Sequence, residues 1–363
     1  MRFLKSRNEK PAVSSIYVHV PFCRSKCYYC DFYSITVKED LLDNYLKTVS
    51  AEILQWKDVI DLSKAETFYV GGGTPSLLSS DQLKRLFEAV FLASGSHFKE
   101  ITVEANPESL KADKLEALKE FGVTRISLGV QSFNPETLAF LGRIHNEKAA
   151  LDAAFRIKEE GFELNLDFIY GVPGESLSSW KKTLNAAVDL RPDSVSCYAF
   201  SVRGNTFRGI PLKTDEEYFE EYVLAVSFLK DHGYIHYEVS NWALPGKECR
   251  HNLNYWMRKN YLGIGPSAAS LIDNIRFTCK PELDSFLASA SLFYFEELNR
   301  EKIKMEKIYL GLRTGLGVDI NELPLELCEE YIEQGLLEVK QGRIKATDKG
   351  MFVLDSLVLN LLQ

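Results

Sequence analysis

The 363-residue chain lacks the features that mark membrane, secreted or nucleic-acid-binding proteins. It has no run of about 18 uncharged apolar residues, the length that a membrane-spanning helix needs. The N-terminal stretch MRFLKSRNEKPAVSS is charged and contains no apolar core of a secretory signal. Acidic residues outnumber basic ones and the net charge is -8, which disfavours nucleic acid and anionic membranes as partners. These absences predict a cytoplasmic globular protein.

Cysteine is scarce and unevenly placed. Three of the seven cysteines lie within CRSKCYYCDF, as Cys23, Cys27 and Cys30. A secreted disulfide framework would be denser and even in number. Scattered thiols are usually buried small side chains, and this applies to the other four: Cys197, Cys249, Cys279 and Cys328. The cluster of three needs an explanation of its own.

Short β-rich runs alternate with helical patterns from residue 16 to about residue 200. The strand candidates are IYVHV, TFYV, EITVEA, RISLGV, ELNLDFIY and DSVSCYAF. The helical stretches between them include LLDNYLKTVSAEILQW and SDQLKRLFEAVFLA, and the second carries a helix-start signal at Ser80 and Asp81. Six strand–helix units in series predict an α/β fold with a parallel sheet, either curved into a barrel or doubly wound.

Polar or glycine-rich segments follow most of these strand candidates. They read PFCRSKC, GGGTPS, NPES, QSF and GVPGES. Functional residues of parallel α/β sheets gather at the carboxyl ends of the strands. We therefore expect these segments, including the cysteine cluster, to lie on one face of the sheet.

The sequence pattern changes after about residue 200, and the chain is predicted to have three parts: 1–200, 201–295 and 296–363. The middle part is rich in aromatic residues and less periodic. The last part predicts helix, helix, hairpin and helix, an order similar to a winged helix. From residue 296 on, nine Lys and Arg residues stand against thirteen Asp and Glu, a net charge of -4. Because phosphate binding needs the opposite sign, we expect a packing domain and not a DNA reader.

Three interpretations of the clustered cysteines are open at this point. They are structural thiols, or they bind zinc with His19 or Asp31 as the fourth ligand, or they hold an iron–sulfur cluster. In a [4Fe–4S] cluster, three thiolates bind three irons and leave the fourth iron open for a small chelating ligand. Only this last interpretation explains why a fourth cysteine is missing.

The C-x3-C-x2-C spacing, with Tyr29 before the third cysteine and a β-strand before the first, resembles the radical S-adenosylmethionine (SAM) superfamily. The resemblance implies an incomplete (β/α)6 TIM-like barrel with a [4Fe–4S] cluster on Cys23, Cys27 and Cys30. It implies that the open iron binds SAM, that one electron cleaves the sulfonium, and that a 5′-deoxyadenosyl radical forms. The electron would come from a donor such as flavodoxin or ferredoxin.

Seven motifs, in order, resemble one branch of that superfamily. They are IYVHVPFC, GGGTPS, VEANPES, ISLGVQSFN, LGRIHN, DFIYGVPGES and HNLNYW. The branch contains the oxygen-independent coproporphyrinogen III dehydrogenase and its heme-chaperone relatives, and it implies a C-terminal winged-helix-like domain. The implied SAM-binding residues are Tyr17, Tyr29, Gly72, Gly73, Thr74, Glu104, Gln131, Arg143, Asp167 and Ala199. Taken singly, these residues also have structural interpretations, such as an Arg143–Asp167 ion pair or a turn capped by Gln131.

Two features favour the heme chaperone within this branch. The dehydrogenase continues its cluster motif with a fourth cysteine, where this chain has Phe32. It also carries a long N-terminal extension, whereas 22 residues precede Cys23 here.

The motif HNLNYW is the stretch that the family associates with heme. The resemblance implies heme binding through His251, Tyr255 and Trp256, and Cys249 is an alternative iron ligand. One position departs from the pattern: GPSAAS has Ala269 where the relatives often have His.

The sequence therefore predicts a radical SAM heme chaperone that binds heme and transfers it to heme-accepting proteins. The enzymatic alternative is oxygen-independent coproporphyrinogen III dehydrogenase, and the third hypothesis is a zinc-stabilised binding module. No nucleic-acid partner is expected. Peripheral membrane contact through the acceptors and a homodimer are left open.

Overall fold

The computed structural model describes residues 9–95, 97–202, 207, 209–288 and 292–362. The chain forms two compact units that interleave along the sequence. The first unit consists of Met1–Asp167, Ser201–Arg208 and Lys259–Glu297, and the second of Phe168–Phe200, Gly209–Arg258 and Leu298–Gln363. The division of the sequence at about residues 200 and 295 stays a prediction.

Seventeen strands occur in the described residues. Numbered along the chain, they are β1 (Ser15–Val20), β2 (Phe22–Cys23), β3 (Ile35–Thr36), β4 (Thr67–Gly72), β5 (Glu100–Ala105), β6 (Arg125–Gln131), β7 (Glu163–Tyr170), β8 (Ser194–Ala199), β9 (Ile235–Glu238), β10 (Asn241–Ala243), β11 (Tyr261–Ile264), β12 (Ala269–Ile272), β13 (Ile275–Cys279), β14 (Phe293–Glu297), β15 (Val318–Asp319), β16 (Leu337–Lys340) and β17 (Arg343–Ala346).

The α-helices of the same residues are numbered in the same way. They are α1 (Glu39–Lys57), α2 (Ser80–Ser94), α3 (Ala112–Glu120), α4 (Pro135–Phe140), α5 (Glu147–Glu159), α6 (Leu177–Asp189), α7 (Asp215–Asp231), α8 (Arg250–Trp256), α9 (Leu283–Leu287), α10 (Arg300–Leu312), α11 (Glu329–Glu333), α12 (Asp348–Phe352) and α13 (Leu354–Leu361). Short 3-10 helices lie at Leu62–Lys64, Pro75–Leu77 and Leu325–Leu327.

The first unit is built on an open, mostly parallel sheet. Its strand order is β14-β13-β12-β11-β1-β4-β5-β6-β7. The pairs from β11 through β1, β4 and β5 to β6 are parallel, and β12, β13 and β14 add antiparallel pairs. All seven residues of β6 are buried, as expected for a parallel strand that is covered on both faces. The predicted α/β class with an incomplete barrel is confirmed.

Helix α2 shows how local sequence sets an element's start. Ser79 accepts a hydrogen bond from the Gln82 backbone N–H, and its own N–H donates to Gln82 Oε1. This capping box satisfies two otherwise unpaired groups. The predicted start signal at Ser80 and Asp81 was wrong by one residue, because the Gln that completes the box lies three positions after Ser79.

The second unit contains the strand order β8-β10-β9, with both pairs antiparallel. Its C-terminal part packs helix α10 and the three-stranded sheet β15-β17-β16 around a common apolar core. Leu312 and Ile344 are fully buried there. The predicted final helix consists of two helices, α12 and α13.

No helix in the described part of the chain is long and apolar enough to cross a membrane.

Candidate cluster and cofactor site

Strand β1 leads directly into the loop that carries the three clustered thiols. Cys23 ends β2 and is buried, and Cys27 and Cys30 are half-buried. Burial raises the pKa of Cys30 to about 11, and negative charge on Cys27 and Cys23 raises it as well. The Cys30 thiol is therefore close enough to Cys27 and Cys23 to be affected by their charge.

A chain of hydrogen bonds joins two of these thiols through residues from three different segments. The Thr74 hydroxyl lies 3.6 Å from Cys23 Sγ, and Asn106 Nδ2 donates to that hydroxyl at 3.1 Å. Arg143 Nη2 donates to Asn106 Oδ1 at 2.9 Å, and Arg143 Nη1 donates to Cys27 Sγ at 3.3 Å. Asn106 is the centre of this chain.

The glycine segment after β4 packs directly against the start of the cysteine loop. Backbone N–H groups of Gly73 and Thr74 donate to the carbonyls of Val20 and Phe22, both at 2.8 Å. A Cβ atom on Gly73 would lie 2.6 Å from the Phe22 carbonyl oxygen. Gly72 has a φ of 111°, a conformation that favours glycine. Close backbone approach therefore explains why glycine stands here.

Glu104 on β5 lies beside the same segment. Its carboxyl group accepts hydrogen bonds from the Gly72 N–H at 3.0 Å and from the Tyr69 hydroxyl at 2.9 Å. Burial raises the pKa of Glu104 to about 7, and the nearby Asp167 also raises it. A proton can therefore move on or off this carboxyl group near neutral pH.

Asp167 is fixed by two neighbours on the sheet. The Ser127 hydroxyl donates to one carboxylate oxygen and Asn165 Nδ2 donates to the other, both at 2.8 Å.

Gln131 ends β6 in the left-handed region, with a φ of 68°. A non-glycine residue in this region is uncommon and is typical of functional sites. His145 supports the adjacent carbonyl: its Nε2 lies 3.1 Å from Val130 O, and its Nδ1 lies 3.4 Å from Glu108 Oε2.

Tyr17 on β1 is oriented by a buried histidine. The Tyr17 hydroxyl lies 3.0 Å from His19 Nδ1, and His19 Nε2 lies 2.8 Å from the Tyr33 carbonyl. Burial lowers the pKa of His19 to about 4, so the ring is neutral. Nε2 then donates to Tyr33, and Nδ1 accepts from Tyr17. Tyr29 is half-buried, and burial raises its pKa.

The residues expected at heme lie in the second unit. The motif HNLNYW forms helix α8, with Cys249 as its buried N-cap residue. His251 is 1% exposed, and its Nε2 lies 2.6 Å from the Tyr255 hydroxyl. Burial lowers the pKa of His251 to about 3. The Arg313 guanidinium lies 5.7 Å from the centre of the Trp256 ring.

Two further predicted positions lie on strands. Ala199 is exposed at the end of β8, in the second unit. Ala269 opens β12 and pairs with Thr278 on β13.

The sequence did not predict roles for three residues that hold the site together: Tyr69, Asn106 and His145. It proposed His19 only as a zinc ligand, whereas His19 orients Tyr17. Each of the four lies in a quoted motif, such as Asn106 in VEANPES and His145 in LGRIHN, but their partners were not visible in the sequence.

The cysteine loop fits an iron–sulfur cluster by the chemistry of its donors. In the residues that the structure describes, no three His, Cys, Asp or Glu side chains gather around one metal ion position. A [4Fe–4S] cluster instead takes one thiolate on each of three irons. Three thiols on one loop, two of them receiving hydrogen bonds, meet this requirement.

Comparisons with known proteins identify the family and the fold. The chain matches the Radical SAM superfamily over residues 17–187 and the HemN C-terminal domain over residues 298–353. A solved structure of coproporphyrinogen III oxidase (HemN) from Escherichia coli, a radical SAM enzyme, has a TM-score of 0.85 at 24% identity, covering 99% of this chain and 92% of that chain. This likeness shows the fold.

Curated relatives named heme chaperone HemW match almost the whole chain. The relative from Lactococcus lactis is 34% identical and the match covers 94% of this chain and 95% of the relative. The relative from Bacillus subtilis is 32% identical, with 93% and 96% covered. The relative from Mycobacterium tuberculosis H37Rv is 36% identical, with 96% and 94% covered. The chain therefore belongs to the HemW family, within the radical SAM superfamily.

Proposed function

We propose that this chain is a radical SAM heme chaperone, which binds heme and transfers it to heme-accepting proteins. One observation carries the proposal: in a chain of the HemW family, a loop of three thiols receives hydrogen bonds from Thr74 and Arg143. The relatives are named for heme chaperoning, and the cysteine loop supplies the cluster site of such a protein.

In this proposal Cys23, Cys27 and Cys30 would hold one [4Fe–4S] cluster. The cluster, reduced by a flavodoxin or ferredoxin, would supply the electron for reductive cleavage of bound SAM. Arg143 places positive charge and an N–H donor at Cys27 Sγ. Hydrogen bonds of this kind stabilise thiolates.

The residues around the loop bind SAM. Glu104 offers a half-buried carboxyl group whose ionised form is an acceptor only, as a ribose hydroxyl or an amino group requires. Gly72 donates its backbone N–H to Glu104, and Tyr17 pairs across the sheet with Tyr69, which also donates to Glu104. His19 fixes the direction of the Tyr17 hydroxyl. The other residues proposed to bind SAM are Tyr29, Gly73, Thr74, Gln131, Arg143, Asp167 and Ala199.

Heme binds at helix α8 through His251, with Tyr255 and Trp256 beside it. The imidazole is buried and bonded to Tyr255, so iron ligation through Nε2 requires Tyr255 to release it. Heme binding is therefore coupled to a local rearrangement of helix α8 that moves the Tyr255 hydroxyl away from His251. Cys249 is the alternative ligand, and it is buried as well.

The enzymatic alternative, coproporphyrinogen III dehydrogenase, is weaker. Phe32 stands where that enzyme's motif has a fourth cysteine, and its side chain is 63% exposed. An exposed phenyl ring supplies no metal ligand. The fold is shared with coproporphyrinogen III oxidase, but a shared fold does not imply a shared reaction.

The proposal is tested by anaerobic reconstitution followed by two assays, heme titration and detection of 5′-deoxyadenosine. We expect about four irons with matching sulfide per chain, and tight heme binding. The triple variant C23A/C27A/C30A should lose iron and sulfide, and C197A, which removes a buried cysteine elsewhere, should retain them. Retention of a full iron and sulfide content in the triple variant would contradict the cluster assignment.

A further inference from the structure

Lys114 on helix α3 connects two segments of the candidate site, although none of the sequence motifs contains it. The residue is buried, with 9% of its surface exposed. Its Nζ donates hydrogen bonds to the Ser76 carbonyl and, at 3.0 Å, to the Ser109 carbonyl. Ser76 lies in the segment after β4, and Ser109 lies in the segment after β5. One ammonium group therefore bonds to the segments that follow two neighbouring strands.

The two serines also bond to each other and to Asn106. Ser76 Oγ lies 2.6 Å from Ser109 Oγ, and both residues are buried. The Asn106 backbone N–H donates to Ser76 Oγ at 3.1 Å, and Ser109 Oγ donates to the Asn106 carbonyl at 3.1 Å. Because the Ser109 hydroxyl proton is used in that bond, Ser76 Oγ is the donor to Ser109. These bonds form a closed ring that fixes the backbone of Asn106 on both sides.

The side chain of Asn106 connects the residues that bond to two of the proposed cluster ligands. Its Nδ2 donates to the Thr74 hydroxyl, which lies 3.6 Å from Cys23 Sγ. Its Oδ1 accepts from Arg143, which also donates to Cys27. Hydrogen bonds of this kind weaken steeply when the two atoms move out of the range of ~2.7–3.2 Å. A shift of the Asn106 backbone would therefore weaken the bonds to both partners.

A lysine at this position is explained by its donors. Burying an ammonium group costs free energy unless the group is hydrogen-bonded. Among the described residues, both acceptors of Lys114 are backbone carbonyls and none is a carboxylate. A stabilising ion pair therefore does not account for the lysine, whereas its three N–H donors can bond to carbonyls of two segments at once.

We infer that Lys114 is a positioning residue for the proposed cluster and SAM site. Its ammonium joins the segments after β4 and β5, and the ring that contains the two serines fixes Asn106. Asn106 in turn aligns Thr74 and Arg143 at the thiols. The effect on SAM binding rests on the proposed function, whereas the hydrogen bonds of Lys114 do not depend on it.

The first test is hydrogen–deuterium exchange of the full-length chain before cluster reconstitution. K114M keeps an unbranched side chain of similar length and removes the N–H donors. The backbone amides of residues 71–76 and 104–109 should then exchange about tenfold faster, the equivalent of losing ~1.4 kcal/mol of local stability. Exchange elsewhere should stay as in wild type, and K114R, which keeps N–H donors, should recover part of the protection.

The second test is the SAM affinity after anaerobic reconstitution, with iron content measured on every variant. K114M should bind SAM about tenfold more weakly than wild type at unchanged iron content. S109A, which keeps the ammonium and removes one hydroxyl of the ring, should act in the same direction. The double variant K114M/S109A should bind SAM no more weakly than the weaker single variant, because both changes act through the same ring.

The matched control is K111M, which removes the same charge from an exposed lysine at the start of the same helix. It should match wild type in both tests, so an effect of charge alone is separated from an effect of the hydrogen bonds. If K114M does not fold, S109A provides the same two measurements.

Unchanged exchange in residues 71–76 and 104–109 of K114M would overturn the inference. Faster exchange throughout the chain, or additive losses of SAM affinity in the double variant, would overturn it as well. A wild type that takes up the cluster and binds no SAM would contradict the proposed function. In that case the exchange of the two segments still decides whether Lys114 positions them.

Discussion

Arg143 Nη1 donates a hydrogen bond to Cys27 Sγ across 3.3 Å, although 116 residues separate the two in sequence. The same guanidinium donates from Nη2 to the Gly129 carbonyl at 2.8 Å. Arg143 is thereby fixed with its charge at one of the three proposed cluster ligands.

Replacing Arg143 by alanine should lower the reduction potential of the reconstituted cluster. A nearby positive charge stabilises the reduced, more negative state, and a lost charge-assisted hydrogen bond is worth ~1.5 kcal/mol or more. For a one-electron couple this corresponds to roughly 60 mV or more. Redox titration followed by electron paramagnetic resonance measures the shift. The control is R156A, which removes an arginine bonded to the Asp152 carbonyl. Equal potentials in R143A and R156A would contradict the assigned role.

SAM binding should become weaker as the pH falls below 7. The pKa of Glu104 is raised to about 7 by burial, so lowering the pH protonates the carboxyl group that is proposed to accept hydrogen bonds from SAM. The affinity should fall by up to about tenfold per pH unit below that value. Anaerobic equilibrium binding between pH 5.5 and 8.5, a range chosen around ~7, measures it. E104Q should bind SAM weakly and without this pH dependence, and E66Q, an exposed control paired with Lys99, should keep it. If the SAM affinity of E104Q depends on pH as it does in wild type, Glu104 is not the titrating group.

His145 should act as a positioning residue for Gln131. Its Nε2 donates a hydrogen bond to the Val130 carbonyl, which precedes the left-handed backbone of Gln131. Loss of a buried hydrogen bond costs ~1–3 kcal/mol, so H145A should bind SAM about tenfold more weakly with unchanged iron content. H145Q, which keeps an N–H donor, should recover part of the affinity. If H145A binds SAM like wild type, His145 has a packing role alone.

Heme binding should respond in opposite directions to two changes in helix α8. The Tyr255 hydroxyl lies 2.6 Å from His251 Nε2 and is hydrogen-bonded to it. Y255F removes this hydroxyl, so it should leave Nε2 available to iron and strengthen or alter heme ligation. H251A should weaken heme binding or shift the Soret band, and the cluster should stay intact. If Cys249 is the iron ligand instead, C249A should weaken heme binding or shift the Soret band. If both H251A and C249A keep the heme spectrum and the heme affinity of wild type, helix α8 is not part of the heme site.

The strands of the α/β part could be predicted, because β-branched and aromatic runs of four to eight residues are separated by clear helical patterns. The strand ELNLDFIY was predicted with the observed bounds, Glu163–Tyr170. The parallel addition of β11 beside β1 could not be predicted. It depends on a pairing between Ser15 and Tyr261, and short strands in a weakly periodic region carry no signal for such a distant partner.

In the functional site, too, contacts between segments that are distant in sequence could not be predicted. The cysteine spacing, read together with the family resemblance, predicted the proposed cluster ligands, because ligand spacing is a local property. The role of Asn106 depends on the neighbouring positions of β4, β5 and β6, which bring Thr74 and Arg143 to it. Helix α8 offered a signal that was not used: His251 and Tyr255 are four residues apart, which places them on one helix face.

Transfer of heme to an acceptor protein distinguishes a heme chaperone from a porphyrinogen dehydrogenase. Cluster-reconstituted protein, loaded with heme and supplied with SAM and a reductant, is mixed anaerobically with an apo-hemoprotein, and the acceptor's absorbance is followed. We expect the acceptor to gain its heme spectrum while the chaperone loses its own, and we expect C23A/C27A/C30A to transfer poorly. No transfer to the acceptor, together with SAM-dependent release of CO2 from coproporphyrinogen III, would contradict the proposed chaperone function and identify the enzyme instead.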